Sequence, residues 1–229
     1  MDIVDHIPAL SFMLRRIMKS KRVDRFVVAT TTLSEDDAIV ELCDAYPVSV
    51  FRGHPSDVLD RYYHAAQESN AATIVRLTGD CPLHDPLVID DLVAAYLDQA
   101  LDYAANAITP TYPDGLDVEA FSMDVLTWLN ARAVLSSDRE HVTPFLHRNA
   151  GGWRVANIAY SEDRSSVRLT LDEPDDLIMI RRVAQALYPG NPDFSLEDML
   201  SYLDVHPEIL RINSAIMRNE GYQRSLERD

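Results

Sequence analysis

The chain has 229 residues, 47% of them hydrophobic, and a formal net charge of -16. That length and apolar content suit one large α/β domain with a proper core and exclude wholesale disorder. So acidic a field repels nucleic acid and anionic membranes, and a nucleotide triphosphate would need metal and local basic residues to bind here.

Strand-like and helix-like patterns alternate along the chain. Ala9 to Lys19 carries Leu10, Met13, Leu14 and Ile17 at helical spacing, with Arg15 and Arg16 placed outward. Phe26 to Thr30 reads as a buried strand. Ser34-Glu35-Asp36-Asp37 resembles a capping-box start to a helix with Ala38, Leu42 and Ala45 on its apolar stripe. Val48 to Phe51 is a short strand, and the polar turn Arg52 to Asp57 leads into a helix from Val58 to about Glu68. The β-branched run Thr73, Ile74, Val75 and Leu77 then stops at Thr78-Gly79-Asp80-Cys81-Pro82.

Asp85-Pro86 opens another helix, with proline at an allowed first-turn position. Asp102 to Asn106 reads as a short strand. The loop Thr109 to Gly115 precedes a strand from Leu116 to Phe121, and two helices follow, the second opened by a capping box of Ser137 and Glu140. Trp153 to Ala159 and Val167 to Leu171 look like late strands. The tail after Asn191 is helical and acidic. The alternation argues for βαβ units in a mainly parallel sheet, with an α/β domain over 1–190 and a helical appendage of the same domain over 191–229. The two cysteines, Cys43 and Cys81, have no C-x-x-C spacing, so neither structural zinc nor a disulfide framework is supported. No signal peptide or membrane-length apolar run is present, and a cytoplasmic location is expected.

Ligands of open α/β sheets sit outside the carboxyl ends of the strands. Asp80, on a glycine turn just past such a strand, is placed to hold a divalent metal, or else to accept backbone hydrogen bonds as a turn residue. Asp172 ends the run Val167 to Leu171 and precedes Glu173-Pro174-Asp175-Asp176, where an acid would also serve as a helix cap. Two carboxylates on one rim suit magnesium, which takes one or two protein carboxylates plus phosphates and water. Asp114, Asp117 and Glu119 could grip sugar hydroxyls or an amine, or stand as solvated acids of a turn. Glu140 fits the capping box; Arg139 and His141 could face an anionic substrate. Arg76, if turned inward, needs a phosphate or carboxylate partner.

These patches, in this order, resemble the nucleotide-sugar cytidylyltransferases, and within them the spore coat polysaccharide biosynthesis protein F group, relatives of CMP-KDO synthetase. The matching segments are Val27-Val28-Ala29-Thr30-Thr31 with Glu35 to Ile39, Val50-Phe51-Arg52-Gly53 with Asp57 to Tyr63, and Val75-Arg76-Leu77-Thr78-Gly79-Asp80-Cys81-Pro82-Leu83. They continue through Tyr112 to Glu119, Arg139 to Pro144, Leu169 to Asp176, and Arg218-Asn219-Glu220-Gly221-Tyr222. The resemblance implies an αβα sandwich of the nucleotide-diphospho-sugar transferase type. It implies transfer of a cytidylyl group from CTP to a sugar or sugar acid with release of pyrophosphate. It also implies magnesium at Asp80 and Asp172, nucleotide contacts at Arg76, Thr78 and Gly79, sugar contacts at Asp114, Asp117, Glu119, Arg139, Glu140 and His141, and a homodimer.

The resemblance departs at the start. Family members begin with a strand and a basic glycine-containing loop, of the kind I-I-Q-A-R-x-x-S-x-R-L-P-G-K, that cradles the nucleotide phosphates. Here Met1-Asp2-Ile3 resembles the residues just after that loop. The N-terminal strand of the fold is therefore expected to be missing, and the polypeptide to show no CTP-dependent pyrophosphate release. The alternative is a non-catalytic sugar-binding or assembly subunit. A generic metal-dependent glycosyltransferase fits less well, because Asp80-Cys81-Pro82 stands where a D-x-D motif would.

Overall fold

The computed structural model describes residues 1–229. Its elements are β1 (Asp2–Val4), β2 (Ile7–Pro8), α1 (Ala9–Ile17), β3 (Val27–Thr31), α2 (Asp37–Cys43), β4 (Ser49–Gly53), α3 (Val58–Glu68), β5 (Thr73–Arg76) and α4 (Pro86–Asp98). Then come β6 (Tyr103–Ala105), β7 (Glu119–Ser122), α5 (Met123–Arg132), α6 (Ser136–His141), α7 (Pro144–Arg148), β8 (Val155–Asn157), α8 (Pro174–Leu187), α9 (Leu196–Val205), α10 (Pro207–Leu210) and α11 (Glu220–Leu226).

Local chemistry sets most helix starts. The Asp57 and Asp85 carboxylates accept from backbone N–H groups in the first turns of α3 and α4, and Pro86 occupies the first turn of α4. Glu173 and Asp176 form a reciprocal capping box on α8, as do Ser195 and Asp198 on α9. Two expected caps are absent. Ser34 to Asp36 form a 3-10 turn whose Asp36 accepts from Thr30 and Thr31 instead. On α6, Ser137 bonds Asp229 and Glu140 accepts from Ser225, so both side chains serve the C-terminal segment rather than their own helix.

Strand alternation sorts the core into two layers on opposite faces of the main sheet. Ala104 and Ala120 face a cluster containing Phe12 of α1, Ile89 of α4, Ile180 of α8 and Met199 of α9. Their neighbours Tyr103, Ala105 and Phe121 face a second cluster with Leu59 of α3, Leu126 and Leu129 of α5, and Leu146 of α7. The result is the expected αβα sandwich. Phe194, Leu196, Met199 and Leu203 lie in the first cluster, so the chain beyond Asn191 helps build the main core.

The sheet is mixed. β3 and β4 pair in parallel, as do β6 and β8, but β7 lies antiparallel between β5 and β6. Val167 to Leu171 is an extended run with a single parallel bridge, Asp114 to Arg168, rather than a laddered strand. Arg16, placed outward by the helical pattern, is buried: it donates to the carbonyl oxygens of His84 and Phe194 and lies 4.0 Å from the Phe194 ring centroid. Those carbonyls and that ring replace water for a guanidinium on the inner face.

The strands form two separate sheets, β3-β4 and β5-β7-β6-β8, beside the small β1-β2 hairpin. Between β3 and β5 lies a cavity of about 370 Å³. Residues of β3, of β5 and its following turn, of α1, and of α3 all line it.

Candidate active site

The turn after β5 places Asp80. Its backbone oxygen accepts from the Leu171 N–H at 2.8 Å, so the extended run ending at Asp172 lies directly against the Asp80 turn. Farther back along that run, Asp114 N donates to Val167 O at 2.9 Å and Leu169 N donates to Asp114 O at 2.7 Å. Gly115 makes this approach possible: its φ is +97°, and a Cβ there would lie 2.5 Å from the Leu169 carbonyl carbon.

Two acids predicted from separate segments are thus brought together. Burial, and next the neighbouring Asp80 charge, raise the Asp172 carboxyl above its ordinary value, although Arg168 pulls the other way. Asp172 is half exposed, and its Oδ2 accepts from Arg168 Nη2 at 2.7 Å. The Asp80 carboxylate accepts from the buried Cys81 thiol at 3.3 Å. Burial above all raises the Cys81 pKa, so this sulfur stays a thiol and a donor rather than a nucleophile.

Arg168 organises the acids, a role the sequence pattern does not reveal. Its guanidinium donates to Asp176 at 2.8 and 2.9 Å, to Asp114 at 3.1 Å and to Asp172. Asp176 is fully buried; burial opposes its charge, but Arg168, Asn213 and two backbone N–H groups hold its pKa below the ordinary value. The available signal was a cation inside an apolar alternating run, four and eight residues before two acids. Arg218 plays a parallel part. It donates to Asp117 and to the Tyr112 carbonyl oxygen, and approaches Asp114 at 3.8 Å. Burial still pushes Asp117 up to about 6 against Arg218, and burial likewise raises Asp114.

Arg76 turns inward, as alternation allowed, and its partner is protein: Glu119, paired across the β5-β7 ladder, accepts from its Nη1. Glu119 is buried and also accepts from the Tyr103 and Thr143 hydroxyls. Its carboxylate is therefore occupied by three side chains inside the protein. The Arg76 Nε is buried with no partner. Thr78 contacts Cys81 Sγ at 3.2 Å, and Gly79 is exposed with open space around it. Arg139 is spent on Asp57, Asn130 and Ala133. Glu140 and His141 meet α11, where both contact Ser225 and His141 packs edge-on against Tyr222. The acids at Asp80, Asp114 and Asp172 therefore form one site, while Glu119 and Arg139 lie in separate interior networks.

The donor chemistry of Asp80 and Asp172 suits a metal pair. Hard carboxylate oxygens, with one carboxyl raised by its neighbour's charge, are a set whose repulsion a divalent cation relieves. Asp114, the third acid of the site, is engaged by Arg168, and no group of three or more acids, histidines or cysteines is arranged around one point to hold a metal. Two carboxylates are the number of protein ligands that magnesium ordinarily takes, with waters and phosphates in its remaining positions.

The chain as a whole is similar to several known proteins. Residues 5–191 match the family model described as cytidylyltransferase. An uncharacterized protein of Methanocaldococcus jannaschii is 37% identical, over 93% of this chain and 86% of its own length. The spore coat polysaccharide biosynthesis protein SpsF of Bacillus subtilis is 28% identical, over 87% of this chain and 84% of its own. A solved cytidylyltransferase from Leptospira borgpetersenii superposes with a TM-score of 0.85 at 32% identity, covering 89% of this chain and 85% of that one. A CMP:2-keto-3-deoxy-manno-octonic acid synthetase solved with CTP shares the fold, with a TM-score of 0.58 at 19% identity over 82% of this chain and 91% of that one.

Proposed function

The chain belongs to the cytidylyltransferase family, and from that premise we propose that its site serves CTP-dependent activation of a sugar or sugar acid for surface polysaccharide. The observation that carries the reading is the meeting of Asp80 and Asp172 beside the turn after β5. These two residues would hold magnesium, which when bound offsets charge on the phosphates. Arg168 fixes the Asp172 carboxylate, and the Leu171-to-Asp80 backbone bond sets the spacing of the pair. Asp114 and Asp117 lie beside the pair, on the turn that Arg218 ties down, where a sugar substrate would approach. In the reaction the sugar hydroxyl oxygen bonds to the α-phosphorus and gives its proton to solvent, while the bond from that phosphorus to the α,β-bridging oxygen breaks. Pyrophosphate leaves with that electron pair.

A second reading, a sugar-binding or assembly subunit, is favoured by one observation. The guanidinium groups nearest the acids, Arg168 and Arg218, are both consumed by aspartates, so neither is free to meet a triphosphate. On this second reading the chain binds CTP weakly even with magnesium and releases no pyrophosphate with KDO-like or nonulosonic acids, whereas on the first it releases pyrophosphate with one of them. A pyrophosphate-release assay with CTP, magnesium and such a panel tests this. Magnesium-dependent release above background would eliminate the subunit reading, and its absence across the panel would overturn the enzyme reading.

A further inference from the structure

Among the residues for which the resemblance implies sugar contacts, Glu119 and Arg139 are taken up inside the protein, and the others share one cover. Asp114 and Asp117 meet Arg218, while Glu140 and His141 meet Ser225. Arg218 and Ser225 belong to one stretch, residues 214–229, which leaves the core at the buried Asn213 and docks through α11 on α6. There Arg148 donates to the Tyr222 hydroxyl at 3.2 Å, and the Asp229 carboxylate accepts from the Ser137 N–H at 2.9 Å.

We propose that residues 214–229 are a lid over the sugar side of the site, which lifts as one unit to admit substrate to Asp117, Glu140 and His141. What enters rests on the cytidylyltransferase reading; the closing and lifting do not. Three observations carry the proposal. First, the closed position leaves no room for a substrate. The Tyr222 and His141 rings meet edge-on with centroids 5.1 Å apart, which is contact, and Arg218 bonds Asp117 directly. Second, polar contacts rather than a core hold the segment down. Ser225 is its only buried residue, and Met217 is 71% exposed. Segments held with so little apolar burial lie at the low-stability end of a fold, from which lids are drawn. Third, the segment has joints. Asn213 is fixed by bonds to Arg168 O at 3.1 Å and Asp176 at 2.8 Å, and the exposed Ser214 and Ala215 follow it. Asn219, between the Arg218 and Ser225 anchors, bends the chain at a φ of +61°, which asparagine tolerates. The carboxylates that accept from Arg218 and Ser225 when the lid is down are acceptors for sugar hydroxyls when it is up.

The test uses the full chain, with Arg218→Gln and Ser225→Ala each removing one anchor, and needs neither CTP nor sugar. Amide hydrogen exchange follows the opening, and reaction of His141 with diethyl pyrocarbonate follows the uncovering of the site. Loss of a charge-assisted bond shifts a local opening by about tenfold or more. Either variant should therefore speed exchange both at α11 and beside Arg218 by about that factor and leave α8 unchanged. Arg218→Gln, which alters no contact of His141 itself, should speed modification of that ring by a similar factor relative to the exposed His6. Amides of α11 that exchange no faster than those of α8, acceleration confined to the substituted anchor, or unchanged reactivity of His141 would each overturn the proposal and make the segment a fixed wall. Neither readout involves CTP, so failure here is separate from failure of the cytidylyltransferase reading.

Discussion

Replacing Arg168 by methionine probes the organisation of the acidic site most directly. The change keeps an unbranched side chain but removes both guanidinium bonds to Asp176, at 2.8 and 2.9 Å, and those to Asp114 and Asp172. Asp176 would stay fully buried with only Asn213 at 2.8 Å and the backbone N–H groups of Asp172 and Glu173 as donors. Removing one partner of a buried pair costs about 3–5 kcal/mol, and the surviving donors favour the lower end, about 3 kcal/mol. For a chain of this size that lowers Tm by about 6–12 °C. The loss also has a pH signature. Asp176 has a depressed pKa in the folded state, so its contribution is present above the ordinary carboxylate pKa and lost as pH falls through the folded value. Urea unfolding at pH 7 and at pH 3 should therefore show the gap between wild type and Arg168→Met narrowing in acid, and Arg168→Met/Asp176→Asn should recover part of the loss at pH 7. A gap below about 0.5 kcal/mol at pH 7, the range of an ordinary surface change, or one unchanged at pH 3, would refute the reasoning.

Gly115→Ala should destabilise by about 2 kcal/mol or more, since it combines a positive φ with a Cβ 2.5 Å from the Leu169 carbonyl carbon; faster amide exchange at Leu169 would locate the damage. Asp117 has a raised folded pKa of about 6, so its titration favours the fold below the ordinary carboxylate pKa, and that contribution is lost as pH rises through 6. The stability of Asp117→Asn relative to wild type, from urea unfolding, should accordingly improve between pH 4 and pH 7; a flat difference would refute the assignment. Magnesium should raise the Tm of the wild type by mass action but leave Asp80→Asn and Asp172→Asn unmoved, and without metal Asp172→Asn should be neutral or stabilising because it removes a like charge beside Asp80.

The helices were largely legible because their signals are local. Val58 to Glu68 was read to both ends, and Asp85-Pro86 and the Glu173 box mark starts that side-chain caps enforce. Strands were located but not their partners or directions. The Leu116 to Phe121 run overlaps β7, yet nothing in its alternation says that it pairs antiparallel with both β5 and β6. Arg16 shows the same limit: a helical wheel with a charged residue near its edge reads outward, whereas three carbonyl oxygens from distant segments accept its guanidinium inside.

The sequence by itself determined the alternating α/β character, the two acids that end extended runs, and the family, because these depend on local periodicity and on residue order. Tertiary structure decided what each charge meets. Arg168 and Arg218 tie down the acids of the site, Glu119 is an interior anchor for Arg76, and Glu140 and His141 face the last helix. It also decided that the sheet stands in two parts across a cavity with unpaired edges. Such outcomes depend on desolvation and mostly on partners far apart in sequence, 101 residues for Arg218 and Asp117, and even the nearby pair Arg168 and Asp176 meets only because both are buried together.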